Sequence, residues 1–344
     1  MPGFLELDGS MGEGGGQVLR TALALALVTG RPLALSRIRA GRSRPGLLRQ
    51  HLTAVQAAAT IGDAQVEGAE PGSQHLVFQP RRRRQGSFRF DVGSAGSALL
   101  VVQTVLPALL VGAGEVELVV AGGTHNPSAP PYEFFARAYV PVLQEMGARV
   151  ECELVRHGSH PAGGGCVRIS VRAVPALAPP SLRTRGPCSA RRGTILLANL
   201  PRHIALRESA VVQARLGWQE AEIEVRDVVA HGPGNAVLLE VQHATAREVA
   251  CAFGRRGVRA EEVAGEAVHA LEAYLHSDAP VGEHLADQLL LPMAIAGGGT
   301  LRAVAWSSHA RTNAEVIARF LPLGFTAEAE AGGTVTVTCR PGAG

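Results

Sequence analysis

The chain reads as an α/β protein of α+β type, a threefold internal repeat with a small α/β unit inserted between the second and third copies. Three observations predict this. Apolar helical segments end at glycines and run into strands three times. Each strand empties into a polar loop that opens a second helix, and the spacing of the glycine stops is unequal by about the length of a small domain.

In the first copy, the Ala/Leu-rich stretch from Gln17 to Val28 ends at Thr29-Gly30, and the alternating run Leu33 to Ile38 follows. In the second, the helix over 97–112 ends at Ala113-Gly114 and gives way to the strand Glu115 to Val120. In the third, Ala286 to Ala296 leads to Gly297-Gly298 and a strand from Thr300 to Ala305. The polar loops are Arg39 to Pro45, Ala121 to Pro127, and Trp306 to Asn313. Their second helices are predicted to begin near Leu47, Tyr132 and Asn313.

Gly30 to Gly114 is 84 residues and Gly114 to Gly298 is 184, so about one hundred residues beyond one repeat lie between the last two copies. The Pro-rich run Val174 to Pro180 marks one edge of the surplus and His276-Ser277-Asp278-Ala279-Pro280 the other. The expected plan is a discontinuous three-repeat domain, 1–180 and 279–344, and an inserted domain, 181–278. Within the insert the pattern predicts strands near Gly193 to Leu200, Ile223, Leu238 and Ala250, with helices at Glu208 to Leu216 and Ala260 to Tyr274.

At 344 residues and 46% hydrophobic the chain can bury a large core. The longest apolar stretch, Ala95 to Val111, is interrupted by Ser97 and Gln103, and no basic-then-apolar leader opens the chain, so neither a membrane span nor a signal peptide is expected. Five scattered cysteines without metal-finger spacing suit reduced thiols and a cytoplasmic location. Net charge is +3, but arginines cluster. Arg81 to Arg84 read as a solvated hairpin turn. Arg37, Arg39, Arg42, Arg44 and Arg49 crowd the first repeat's loop and the helix it opens, where helix N-termini favour anions, so a phosphate-binding role is expected there.

Two motifs carry chemistry. Asp8-Gly9-Ser10-Met11-Gly12-Glu13-Gly14-Gly15-Gly16-Gln17 joins the first strand to the first helix. Three consecutive glycines bare backbone N–H groups at a helix start, the makings of a phosphate cradle, although neither a Walker A loop nor a dinucleotide fingerprint is present. A carboxylate there, Glu13, calls for a divalent cation beside a phosphate. Spacing alone leaves an ordinary glycine-rich turn with Glu13 exposed equally open. The second motif is Trp306-Ser307-Ser308-His309-Ala310-Arg311-Thr312-Asn313. A histidine among hydroxyl and amide side chains has what a nucleophilic imidazole needs, one nitrogen held and the other facing a ligand. Read alone, the same residues also make a capping loop, with Ser307, Ser308 or Thr312 as cap and His309 merely exposed.

Taken together, Gly12 to Gln17, Ile38-Arg39-Ala40-Gly41-Arg42, Pro45-Gly46-Leu47, Gln50-His51-Leu52, Gly122-Gly123-Thr124, Pro161 to Gly165, Leu285-Ala286-Asp287-Gln288 and Ser308-His309 resemble the RNA 3′-terminal phosphate cyclase family, from about Leu5 to Thr338. The resemblance implies three βαβαββ-type units, similar to enolpyruvyl-shikimate-phosphate synthases, with a small inserted α/β domain. It implies an ATP-dependent enzyme that converts an RNA 3′-terminal phosphate to a 2′,3′-cyclic phosphodiester. His309 would be the nucleophile that carries AMP. Glu13 would bind Mg²⁺ or Mn²⁺, and Arg20, Arg39, Arg42 and Gln50 would contact phosphates. Gln103, Pro130, His284, Leu285, Ala286, Asp287 and Gln288 would form the nucleotide pocket. The implied partner is RNA ending in a 3′-phosphate, with no membrane; the oligomeric state, a homodimer included, is left undecided.

Where the family commonly has tyrosine this chain has His284, a smaller and titratable platform for adenine, and Cys166 after the triple glycine has no reading. Three rival readings compete with this one. A non-catalytic ribosome-assembly relative lacks the histidine that this chain keeps. An enolpyruvyl transferase needs six repeats where three are counted. A plain RNA-binding module sits badly with only 4% aromatic residues. Because every motif lies outside about 180–280, the insert is expected to take little part in nucleotide chemistry.

Overall fold

A computed structural model describes residues 3–342. The first unit runs β1 (Leu5–Asp8), α1 (Gly16–Thr29), β2 (Leu33–Ser36), α2 (Arg49–Ile61), β3 (Gln65–Glu67) and β4 (Leu76–Gln79). β1 pairs in parallel with β2, β2 antiparallel with β4, and β4 antiparallel with β3. The second unit follows the same course: β5 (Gly86–Asp91), α3 (Ala98–Leu110), β6 (Glu115–Gly122), then α4 (Tyr132–Phe134) continuing through a π-helical turn into α5 (Val140–Glu145), β7 (Arg149–Arg156) and β8 (Gly165–Arg172). Its sheet order, β5-β6-β8-β7, has the same pairing senses.

The third unit opens with β9 (Ser181–Leu182) and is then interrupted by a fourth sheet. That sheet comprises β10 (Cys188–Ala198), β11 (Ile223–Asp227), β12 (Gly234–His243) and β13 (Arg247–Phe253), covered by α6 (His203–Leu216) and α7 (Ala260–Leu275). Its order is β11-β10-β12-β13, so β13 is an edge strand. The third unit resumes with α8 (Glu283–Ile295), β14 (Gly299–Ala303), α9 (Ser308–Phe320), β15 (Leu323–Ala329) and β16 (Val335–Pro341), in the order β9-β14-β16-β15. All three units are therefore βαβαββ.

The interruption falls inside a strand. Leu182 pairs with Leu301, and after the excursion Val281 pairs in parallel with Ala303, so the chain leaves the sheet at one residue and rejoins the same line about one hundred residues later. The expected edges at 180 and 279 assign Ser181 and Leu182 to the insert and Ala279 and Pro280 to the three-repeat part. The pairing moves these edges to 183 and 280. In the second unit the same place, between Asp91 and Ser97, holds only a short loop.

Local sequence explains the elements. α1 is built from strong helix formers and is apolar nearly all round, which suits the interior position where Val18, Leu19 and Leu23 are buried. Gly30 stops it in the left-handed conformation (φ 70°), its N–H bonded to Ala26 O. β6 alternates exposed and buried residues over Glu115 to Val120, the period-2 signature of a sheet with one wet face. One apolar cluster joins all three units, whereas the fourth sheet and its helices carry a separate one around Ile195, Val237, Val268 and Leu271.

Two expectations change. The helix expected near Asn313 starts at Ser308, because Ser307 caps it by accepting the Ala310 N–H at 3.1 Å, so His309 sits in the first helical turn. Arg81 to Arg84 do not turn a hairpin, since β4 and β5 belong to different sheets. Their backbone instead caps α2, with Arg84 N–H bonded to Ile61 O, and Arg83 donates to Ala108 O and Val111 O at the end of α3.

Candidate active site

The β1–α1 loop, the N-terminal half of α1, the first turn of α9 and the middle of α8 converge on one point. Gly12 holds φ 57°, and a side chain there would overlap Thr312 Oγ1 on α9, so glycine lets the loop lie against that helix. The approach brings Glu13 to His309, with Glu13 Oε2 2.9 Å from His309 Nε2. Ser308 donates its hydroxyl to Glu13 Oε1, and Arg42 donates to Glu13 O at 3.1 Å.

On its other side the imidazole is held through a chain of three groups. Asp287 Oδ1 accepts from Gln17 Nε2 at 2.6 Å, which turns Gln17 Oε1 toward His309 Nδ1 at 2.9 Å. A carboxylate only accepts, so the amide orientation follows, and Nδ1 must carry the proton it donates. Asn313 steadies Asp287 by donating to Oδ1 and to the backbone carbonyl, and itself accepts from Thr21. Burial raises the Asp287 carboxyl above its usual range, against the lowering pull of Gln17, His309, Asn313 and Arg20. Acceptors thus stand at both ring nitrogens, Gln17 Oε1 at Nδ1 and Glu13 Oε2 at Nε2. Nε2, once freed of its proton, is the nitrogen with an open face.

A cavity of about 770 Å³ adjoins His309, within the size range of small-molecule sites. His309, Gln17, Arg20, Gln103, Pro130, His284, Asp287 and Gln288 line it. Gln103 donates to Gln288 at 2.6 Å across its floor. Leu285 and Ala286 do not line it and are corrected here: both lie in the core, because on α8 the cavity face recurs at 284, 287, 288 and 291 and they point the other way. Arg20 is pushed down to about 10 by burial, with Asp287 opposing, and stays a cation.

The opposite wall was not anticipated. Residues Glu248 to Phe253 of β13, together with Glu266, Ala270, Ala273 and Tyr274 of α7, close the cavity, so the inserted segment supplies one side of it. The segment expected to take little part in nucleotide chemistry thus still borders the cavity, through its edge strand and α7. Glu248 is buried there with Oε2 unpartnered, and burial pushes its carboxyl up to about 7.

Beside the cavity is a positive groove. A side chain on Gly15 would crowd Arg42, and one on Gly16 would meet His51 Nε2 at 2.5 Å and Arg20 at 3.0 Å, so bare backbone at the start of α1 faces three basic groups. His51, absent from the sequence-derived residues except as part of a motif, accepts the Leu48 N–H at Nδ1 (3.2 Å). Burial, then Arg39 and Arg20, push it down to about 3, so it is neutral and carries its proton on Nε2. Arg39 is tied within its own loop, and Gln50 reaches the start of α3. Arg39 donates to Arg44 O at 2.7 Å and Gly46 O at 2.8 Å, and Gln50 Oε1 accepts from Ser97 N. Among the described residues Glu13 is the carboxylate that lies between groove and imidazole, and such an oxygen donor suits a hard cation that takes its other ligands from phosphates.

A second depression, about 740 Å³ on the outer face of the β5-β6-β8-β7 sheet, is lined by residues such as Glu117, Arg149 and Arg172 and joins none of these groups. No helix among the described residues is long and apolar enough to cross a membrane.

The family model for RNA 3′-terminal phosphate cyclase matches residues 11–327. A protein named RNA 3′-terminal phosphate cyclase from Ectopseudomonas mendocina (strain ymp) is 50% identical over 319 residues, covering 92% of this chain and 93% of the relative. One of the same name from Koribacter versatilis (strain Ellin345) is 48% identical over 343 residues, covering 99% and 97%.

Proposed function

Because this chain belongs to the RNA 3′-terminal phosphate cyclase family, we propose that it closes an RNA 3′-terminal phosphate onto the neighbouring 2′-hydroxyl at the expense of ATP, with His309 as the nucleophile. The observation that carries this reading is the relay Asp287–Gln17–His309, which assigns a proton to Nδ1 and leaves Nε2 for attack at the mouth of the cavity. In the first step Nε2 forms a bond to the α-phosphorus of ATP as the bond to pyrophosphate breaks. In the second, an oxygen of the RNA 3′-phosphate displaces the imidazole, giving a phosphoanhydride to AMP. In the third, the 2′-hydroxyl attacks the 3′-phosphorus, loses its proton to solvent, and AMP leaves.

The reason for activation is the leaving group. A phosphate monoester would have to expel oxide to cyclise, whereas its AMP anhydride expels a stabilised phosphate. The triphosphate fits the groove of Arg20, Arg42 and the bare backbone at Gly15 and Gly16, and the nucleoside fits the cavity beside Pro130 and His284. A divalent cation held by Glu13 would neutralise charge on the phosphates during transfer. Glu13 Oε2 also stands 2.9 Å from Nε2, so its engagement by a cation would leave that nitrogen free for attack. The free thiols of all five cysteines support a reducing, cytoplasmic setting.

The test is labelling. ATP carrying label at the α-phosphate should leave it on the folded protein in an acid-labile, alkali-stable bond, and RNA with a 3′-phosphate should discharge it to a cyclic end. RNA with a 3′-hydroxyl should not. His309→Asn should bind ATP and take no label; label on that variant, or mapping to a lysine, removes His309 from the mechanism.

A further inference from the structure

Away from the nucleotide site, three side chains from separate segments converge at the junction of the second unit and the inserted segment. His125 follows β6, Glu133 lies in α4, and His157 follows β7. One donor atom from each lies within 4.8 Å of the other two. His125 and Glu133 are buried at 2% and 4% exposure, so neither is a surface side chain that meets the others by chance.

The pairing inside the cluster is incomplete. Glu133 Oε2 lies 2.8 Å from His125 Nε2. The nearby arginines are engaged with other carboxylates, Arg137 with Glu240 and Arg226 with Glu224. The His157 ring stacks on His125 at 5.2 Å between centroids, and neither of its nitrogens has a hydrogen-bond partner among the described residues. The far nitrogen of His125 is braced: Nδ1 lies 2.8 Å from Thr124 Oγ1, which accepts the Gly158 N–H at 3.0 Å. A ligating histidine whose other nitrogen is fixed by a polar neighbour is the usual second layer of a metal site.

We propose that His125, Glu133 and His157 bind a zinc ion, with a water in the fourth position. Two imidazole nitrogens and one carboxylate oxygen are a borderline donor set that suits zinc, with its preference for four ligands near 2.0–2.2 Å. With the donor atoms within 4.8 Å of one another, the His157 ring would close on the pair as the ion binds. The ion would take the place of the proton shared by His125 Nε2 and Glu133 Oε2 and add the unpartnered His157 ring as a third ligand. It would also pin both ends of the loop Pro127 to Pro131, which runs from His125 to Glu133 and forms one wall of the cavity. The ion would thus stiffen that wall without touching the reacting atoms. Binding itself does not depend on the cyclase reading.

The test uses the full chain carrying Glu13→Ala, which removes the other histidine–carboxylate pair, at His309. After chelation and dialysis, zinc chloride should restore one equivalent of tightly held metal and raise the melting temperature. Cobalt chloride in its place should give the visible d–d bands of a four-coordinate nitrogen–oxygen site. His157→Gln, folded by near-ultraviolet dichroism, should weaken binding at least about tenfold. The inference is overturned by failure to retain stoichiometric zinc, by a six-coordinate cobalt spectrum alone, or by metal binding undiminished in His157→Gln. In those cases the cluster is a hydrogen-bonded His125–Glu133 pair and nothing more.

Discussion

The orientation of His309, the proposed nucleophile, is set by a carboxylate that never touches it. Asp287 orients the Gln17 amide, and the amide fixes the proton on His309 Nδ1. Gln17→Ala should therefore slow self-adenylation by about 10²-fold or more while leaving ATP binding close to normal, since the ring loses its preferred tautomer and its aim. Single-turnover labelling beside equilibrium ATP binding separates the two. A KM effect with unchanged single-turnover rate would mean that Gln17 only lines the cavity. The sequence contained Gln17 within the glycine motif, but only the pairing with residues 270 and 292 positions away gave it a role.

At the scale of elements, α9 presents the proposed nucleophile because of where it begins. Ser307 ends the extended segment and caps the helix, which places Ser308 and His309 in the first turn, facing the β1–α1 loop. Ser307→Ala should lower stability by about 1 kcal/mol, read by urea unfolding. Adenylation should fall by less than in Gln17→Ala, because Gln17 and Glu13 still hold the ring. A loss of rate equal to that of Gln17→Ala would make the cap, rather than the relay, the positioning device. The inserted segment's elements act similarly: α7 and β13 pack on each other and offer one wall to the cavity beside His309. Ala270 is exposed on that wall. Ala270→Glu should raise the KM for ATP several-fold without changing the melting temperature, since it adds a negative charge beside a polyanion. An unchanged KM would show that the nucleotide keeps clear of the insert.

For the whole molecule, two buried acids impose a pH dependence on stability. Burial pushes Glu208, in the insert, and Glu248, on the cavity wall, up to about 7 from 4.5. The folded chain then binds these protons more tightly than the unfolded one. The sign is a loss of stability as pH rises from 4.5 through 7, on the order of 3 kcal/mol for each group, and a plateau above. Glu248→Gln should therefore stabilise the protein at pH 8 relative to the parent and change it little at pH 4.5. Parallel thermal melts at the two values check this; an equal shift at both would place the effect in packing rather than ionisation.

The threefold plan was legible in the sequence because helix and strand periods, glycine stops and caps are encoded within a few residues of one another. Gly30, the alternation from Glu115 to Val120 and the loop around His309 each announce their element locally. The α8 face was legible too, since the helical period separates His284, Asp287 and Gln288 from Leu285 and Ala286; the pocket that the resemblance implies, taken without that period, included all five. What no local pattern carried was the strand split between Leu182 and Val281, each fragment too short to display a period of two. Nor could it carry the meeting of Glu13, Gln17, Asp287 and His309, or the wall from the insert. Contacts between units depend on which apolar faces pack together, and those faces are chemically alike in sequence. Only burying them in one shared core selected the partners, and with them the site.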